Sequence, residues 1–418
     1  MLVLDIIVYL QWHNDYVMKT QEVISSVIEA QKADIDRMPE GLTREILNDV
    51  PVIENFCSII TGIRRCGKST LMLQILKKSK EKSLFLRFTD IRLSGFETAD
   101  FSRLNAEIEK RNVKLLFFDE IQIIDKWEIF INQKLNESYL VFITGSNASL
   151  LSRELGTYLT GRNLSFELHP FSYTEFLAYK SLENSLNNFN DYLQIGGMPE
   201  YIKNNSGIIL QHLVDDILYR DIAVRHNIRN VNALREMTVY LVSNIGKPVS
   251  ARKLTGLFGV NSTSTVTDYF AYLKDSYILD FVPQFDYSIK AQCRNPKKVY
   301  AIDLGIYNQI KTTYTEDYGR QLENAVFLYL RRKYKEIFFF KKGGECDFVV
   351  MTKGKIEQCV QVCYRIDDMN MKREMDGLRS AMDYFGIKEG VIVTHDQTDS
   401  FDYEGVKIKL KPAMNFLI

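Results

Sequence analysis

Over the first 170 residues, short and mostly apolar runs alternate with stretches whose apolar residues fall three and four apart. Cys57, Ile59 and Ile60 open the series, and the runs at 83–88, Leu115 to Phe118 and 139–144 continue it. Between them, Leu71, Met72, Leu73, Ile75 and Leu76, and then residues 99–110, carry the helical spacing. Predominantly apolar strands alternating with helices predict an α/β layer with a sheet buried on both faces. From Pro170 to Arg229 the pattern turns helical, with Phe171, Phe176 and Leu177, then Leu210, Leu213, Ile217 and Leu218, as the inward stripe. Residues 234–303 read as three helices followed by two strand-like runs. After Thr315 the order is helix, strands, helix, strand, a second α/β pattern. The chain thus divides into a helical N-terminal extension (1–50), an α/β core (51–170), a helical segment (171–230), a helix-rich segment with two strands (231–310) and a C-terminal α/β domain (311–418).

Composition narrows the partners. Lys plus Arg and Asp plus Glu are equal at 53 each in 418 residues, so any nucleic-acid surface must be a local patch. The six cysteines form no C-x-x-C pair and the five histidines no metal spacing, which fits reduced thiols in a cytoplasmic protein. The opening run LVLDIIVYL is broken by Asp5, lacks a basic flank and is too short to span a bilayer, so neither a signal peptide nor a membrane span is expected. Met18 begins a more ordinary amphipathic helix, and residues 1–17 stand apart as a candidate start-site extension.

The first strand and helix are joined by ITGIRRCGKSTL, which contains Gly-x-x-x-x-Gly-Lys-Ser/Thr in the strand–loop–helix order that a phosphate-binding loop requires. Gly62 and Gly67 let backbone N–H groups curl around phosphate oxygens, Lys68 brings a charge between the β- and γ-phosphates, and Ser69 offers a hydroxyl to Mg²⁺. The positive end of the following helix adds to the field. A second element, Leu115-Leu116-Phe117-Phe118-Asp119-Glu120, is an apolar strand ending in acids. In such a site Asp119 holds Mg²⁺ through water and Glu120 orients or deprotonates the attacking water. A third strand ends in Gly145, Ser146 and Asn147, at the edge where open α/β sheets bind ligands. Asn147 is a candidate contact to the γ-phosphate or the water, with a helix cap as the alternative.

The series ITGIRRCGKST, LLFFDEIQIIDKWE, FITGSNASLLSRELGTYLTGR, HPFSYTEF and GGMPEYI resembles the bacterial and archaeal AAA-type ATPases that carry a C-terminal domain of unknown function. The resemblance covers nearly everything after about residue 20. It implies ATP and Mg²⁺ as ligands, an AAA-like P-loop core, and Gly62, Arg64, Arg65, Cys66, Gly67, Lys68, Ser69 and Thr70 as nucleotide-binding residues. It also implies a sensor position at Ser146 and Asn147. Arg162 is a candidate finger or sensing arginine for the chain's own or a neighbour's γ-phosphate, with a salt bridge to Glu154 as the plain alternative.

The helical segment reads as a lid beside the nucleotide, with Gly196-Gly197 as hinge or simple turn. Residues 250–258, a turn at Gly259, and 262–273 look like the two helices of a helix-turn-helix, and the runs 278–285 and 298–302 like its wing. The second helix opens with Ser262, Thr263, Ser264, Thr265 and Thr267, and the wing with Lys290, Arg294, Lys297 and Lys298. Phosphate contact is therefore favoured over base reading, and non-specific DNA or a protein is the expected partner.

The C-terminal pattern resembles the restriction-endonuclease-like fold, with Glu323, Asp347 and Gln361 in its metal-side places. The lysine place holds Cys363, which cannot stabilise the attacking hydroxide, unless Lys341, Lys342 or Lys372 moves in. A degenerate domain that binds without cutting is the preferred reading. Three functions remain in order: an ATP-hydrolysing switch, an ATP-gated nuclease in defence or mobile-element processing, and a nucleotide-binding scaffold. Nothing in the residues fixes the oligomeric state.

Overall fold

The computed structural model describes residues 19–50, 52–145, 159, 161–312 and 317–418. They fall into two compact units: residues up to 62 with 67–168, and residues 63–66 with 169–418.

The first unit is built on strands β1 (Cys57–Thr61), β2 (Ser83–Arg87), β3 (Leu115–Asp119), β4 (Leu140–Thr144) and β5 (Asn163–Glu167). They pair in the order β2-β3-β4-β1-β5, all parallel. Every residue of β1 and β3 is buried, as the unbroken apolar runs demand of a sheet covered on both faces. Helices α1 (Gln21–Arg37), α2 (Lys68–Lys78), α3 (Phe101–Arg111) and α4 (Trp127–Asn136) complete it. Helix α1 starts at the Thr20 N-cap and buries Ile24, Val27, Ile28, Gln31 and Ile35, a three- and four-residue stripe. Ile24, Val27 and Ile28 lie in one core with Leu84, Leu86, Leu104 and Phe118, so this helix is part of the sheet's own packing. Residues 1–17 lie outside the described residues.

The second unit begins with helices α5 (Tyr173–Lys180), α6 (Leu186–Ile195), α7 (Pro199–Asn204) and α8 (Ile208–Asp216), which runs into a π-helical stretch, Ile217–Val224. The Gly196-Gly197 turn is tightly held. Gly197 N–H donates to Asp303 at 2.6 Å, and a Cβ on Gly197 would stand 2.2 Å from the Phe171 carbonyl. Next come α9 (Val231–Ser243), β6 (Pro248–Val249), α10 (Ala251–Leu254), α11 (Thr263–Asp275), β7 (Leu279–Pro283), α12 (Ile289–Arg294) and β8 (Lys297–Ala301), with the strands in the order β6-β8-β7. The helix expected over 250–258 stops at Leu254, because Gly256 and Gly259 both adopt left-handed φ. The segment expected as a wing tip contains the short helix α12.

After α13 (Leu304–Ile310) and α14 (Tyr318–Lys333) comes a six-stranded mixed sheet. Its strands are β9 (Glu336–Lys341), β10 (Glu345–Thr352), β11 (Lys355–Val362), β12 (Glu389–Thr394), β13 (Asp399–Tyr403) and β14 (Val406–Pro412), in the order β13-β14-β12-β11-β10-β9. Helix α15 (Met371–Phe385) covers it through Met375, Leu378, Ala381 and Met382.

Candidate functional site

The carboxyl ends of β1 and β3 bring the first set of candidates together. After Thr61 the chain turns at Gly62, φ 136°, and again at Gly67, φ 101°, conformations that an L side chain rarely adopts. Lys68, buried at 6 % exposure, donates from Nζ to the Gly62 carbonyl at 2.9 Å across the loop. Ser69 Oγ lies 3.1 and 3.0 Å from the two carboxylate oxygens of Asp119. Asp119 is itself buried at 2 % exposure and accepts from Thr144 Oγ1 at 2.7 Å.

Thr144 is a double agent here: its oxygen also accepts the Glu120 N–H at 3.0 Å. That bond helps hold Glu120 at φ 57°, a left-handed conformation costly for a residue with a Cβ. The Glu120 carboxylate accepts from Gln122 Nε2 at 2.5 Å, and Gln122 Oε1 is buried with no hydrogen-bond partner among the described residues. The proposed water-orienting acid is thereby oriented by a neighbour two residues on.

These residues fit a nucleoside phosphate with a divalent cation. The turns supply a cradle that Cβ atoms would strain, the Lys68 ammonium would hold phosphate charge, and Ser69 with Asp119 would hold the cation, whose positive charge offsets that of the phosphates.

The side chains of the loop's crown are engaged elsewhere. Within the second unit, Arg64 donates to both oxygens of buried Asp221 at 2.5 and 2.8 Å, and Arg65 to Glu200 at 3.0 Å. Cys66 is buried. Ser146, Asn147 and Glu154 lie outside the described residues.

Arg162 stands at the other end of β1 from its own chain's phosphate loop. Its carbonyl accepts from Cys57 N–H at 2.9 Å, at the first residue of β1, whereas the phosphate loop follows the last. Its guanidinium donates to the Asn55 carbonyl at 3.1 Å and to Asn136 and Asn132 at 2.7 and 3.2 Å. A five-residue strand at ~3.3 Å per residue separates it from its own phosphate loop, so it does not face that site.

The pattern gave no signal for Arg87. It ends β2 in register with Asp119, and its Nε donates to Asp119 Oδ2 at 2.9 Å. Gln31 of α1 fixes its backbone, accepting from Arg87 N–H at 2.7 Å and donating to its carbonyl at 3.2 Å. Only a fold that brings residues 56 apart together reveals it.

The C-terminal candidates also meet, with a different outcome. Glu323 on α14 and Asp347 on β10 converge on Lys298 of β8, whose Nζ lies 3.2 Å from Glu323, 2.7 Å from Asp347 and 3.2 Å from Glu345. Lys298, expected on a basic wing tip, has a side chain only 3 % exposed. Tyr300, two residues along the same strand face, donates to Glu323 at 2.6 Å. Burial pushes the Glu323 carboxyl up to about 7 against the pull of Lys298. Burial works to depress the Lys298 ammonium, but Asp347 and Glu323 outweigh it and hold that ammonium well above its usual range.

Gln361 is not poised as a ligand: it accepts from Asp347 N–H at 3.0 Å and donates to Glu374 at 2.7 Å. Burial raises the Cys363 thiol to about 11. Lys341 pairs with Glu345 at 3.1 Å and Lys342 lies over the Tyr384 ring, whereas the lysine that reaches both Glu323 and Asp347 is Lys298. Among the described residues, no cluster of three or more acids, histidines or cysteines is arranged to hold a metal, and no helix is long and apolar enough to cross a membrane.

Residues 54–177 match the AAA domain family, and residues 186–317 match a domain of unknown function (DUF8612). A protein of Methanocaldococcus jannaschii, titled uncharacterized, is 30% identical over 395 residues, 88% of each chain. A Haemophilus influenzae protein, likewise titled uncharacterized, is 27% identical over 376 residues, 85% of this chain and 92% of the other. Among solved structures, a Walker-type ATPase of Pyrococcus abyssi aligns with a TM-score of 0.45 at 14% identity, over 66% of this chain and 99% of that one.

Proposed function

We propose that the chain, which carries an AAA domain over residues 54–177 and belongs to one family with the Methanocaldococcus protein, hydrolyses ATP with Mg²⁺ as a nucleotide-dependent switch. One observation carries the reading: Ser69 and Thr144 both contact the buried Asp119 carboxylate, and Glu120 follows it with its N–H bonded to the same Thr144. Lys68 neutralises phosphate charge, Ser69 and Asp119 hold the cation, and Glu120 takes the proton of the attacking water. An acid in that position argues against a scaffold without turnover. Phosphate release by wild type, Lys68→Ala and Glu120→Gln tests it. Lys68→Ala should bind and turn over poorly, and Glu120→Gln should bind ATP while scarcely hydrolysing it. Equal release by wild type and Lys68→Ala would sink the enzyme reading.

The output segment, in this reading, is the winged-helix-like region 231–310, contacting DNA non-specifically or a protein. Exposed Lys290, Arg294 and the half-buried Lys297 support a phosphate contact, whereas Lys298 does not contribute. DNA affinity should fall steeply with salt; salt-independent binding would exclude the electrostatic contact. An ATP-gated nuclease is disfavoured, because Lys298 and Gln361 consume the groups that would face a metal.

A further inference from the structure

We propose that Arg87 is a γ-phosphate-binding residue of the nucleotide site, held on Asp119 until a nucleoside triphosphate arrives. This rests on the reading of the glycine loop as an ATP site.

Three features distinguish Arg87 from a surface arginine. First, its backbone is immobilised from both sides by the buried Gln31 amide, whose Nε2 also donates to Asp90 at 3.0 Å. Phe88 N–H, next along the chain, donates to the Asp119 carbonyl at 3.0 Å. The base of the side chain is therefore fixed relative to β3, a precondition for presenting a charge accurately.

Second, Arg87 Nε and Ser69 Oγ meet at the same oxygen, Asp119 Oδ2, at 2.9 and 3.0 Å. The guanidinium thus stands at the oxygen where Ser69 and Asp119 would share a cation. A cation held by Ser69 and Asp119 would compete with the guanidinium for that carboxylate, which would leave Arg87 to pair with the ligand's negative charge.

Third, only one of its donors is spent. Nη1 and Nη2 make no hydrogen bond among the described residues, and the side chain is 38 % exposed. Two parallel donors on a planar cation match phosphate oxygens better than any other side chain does. The strand's carboxyl end is also the edge at which ligands meet an open parallel sheet.

If Arg87 did no more than neutralise Asp119, its loss would affect diphosphate and triphosphate alike. A γ-phosphate contact affects the triphosphate alone. The test is equilibrium titration of full-length wild type, Arg87→Gln and Arg87→Lys with fluorescent ADP and ATPγS in Mg²⁺. Arg87→Gln should lose roughly ten- to hundredfold in ATPγS affinity, as for a hydrogen bond between charged groups, with ADP affinity within about twofold of wild type. Arg87→Lys should recover part of the loss.

An ATPγS-to-ADP affinity ratio in Arg87→Gln unchanged from wild type overturns the assignment. ADP binding by Arg87→Gln reports that it is folded, and if it is not, the ratio in Arg87→Lys decides. A wild-type protein that binds neither nucleotide, like Lys68→Ala, rejects the ATP reading itself.

Discussion

The glycine loop and the β8 cluster each combine a lysine with buried carboxylate, and they use these residue types to opposite ends. At the glycine loop, Lys68 donates to a backbone carbonyl, and Asp119 is held by two neutral hydroxyls and by an arginine that keeps donors in reserve. On β8, Lys298 donates to Asp347 and Glu323 and pairs with Glu345, and a tyrosine covers Glu323. In the first arrangement the Arg87 guanidinium keeps donors for a ligand. The second satisfies its charges internally, as a buried ion pair must if it is to persist. A cluster of catalytic-looking residues is therefore a site only if some of its bonding capacity is unspent.

The sharpest way to break the comparison is to neutralise one acid in each place. Glu120→Gln should lower phosphate release by ~10²–10⁴-fold, the usual worth of a positioned general base. Glu323→Gln should leave turnover within about twofold, since its partners are all protein groups. Turnover that collapsed in Glu323→Gln would mean the C-terminal acids take part in hydrolysis.

Removing the lysines reverses the order of effects. Lys298→Ala leaves three acids around an uncompensated centre and should cost about 3–5 kcal/mol of stability in denaturant unfolding. Lys68→Ala should cost far less and report mainly in nucleotide affinity. If Lys298→Ala unfolded at the wild-type midpoint, the internal-pairing account would be wrong. Plasmid nicking in Mg²⁺ by the wild type, lost in Asp347→Ala, would overturn it from the other side.

The pH dependence is smaller but has a definite sign. Burial raises Glu323 from 4.5 to about 7 and Asp303 from 3.8 to about 6, so the folded state binds their protons more tightly than the unfolded chain. Their contribution to stability is greatest below the unfolded values. It declines as pH rises from about 4 through 7, and stays lost above that. Wild type should therefore lose more Tm than Glu323→Gln between about pH 5 and pH 8. Parallel Tm profiles for the two proteins would show that Glu323 titrates normally.

Much of the first site was legible because its signals are local. The glycine loop lies within one strand–turn–helix, and Asp119-Glu120 end a run too apolar to be anything but a buried strand. What escaped depends on long-range packing. Arg87 matters only because Gln31 and Asp119 meet it. Lys298 was misread by composition, as one of a basic group, although strand alternation puts it on one face with Tyr300, and both reach Glu323. The same alternation pairs Gln361 with Cys363, but only the positions of Glu374 and the Asp347 N–H disclose that Gln361 is consumed. The short α10 was legible in Gly256 and Gly259, which weigh more than the apolar spacing across 250–258.

Arg162 provides the smallest expected effect and the cleanest control on the comparison. It is a cation at the amino edge of the sheet whose carboxyl edge carries Lys68, and its hydrogen bonds run to neutral groups, the Asn55 carbonyl and the amides of Asn132 and Asn136. Replacing it removes no partner of a buried charge, so Arg162→Ala should cost about 1 kcal/mol, the worth of ordinary hydrogen bonds, and leave single-chain ATP turnover near wild type. Arg87→Gln, at the opposite edge, should by contrast change nucleotide affinity. Phosphate release measured over a range of protein concentrations adds one more discrimination. A defect in Arg162→Ala that appears only as concentration rises would mean that the arginine serves a neighbouring copy's site, whereas a defect at every concentration would contradict its position in this sheet.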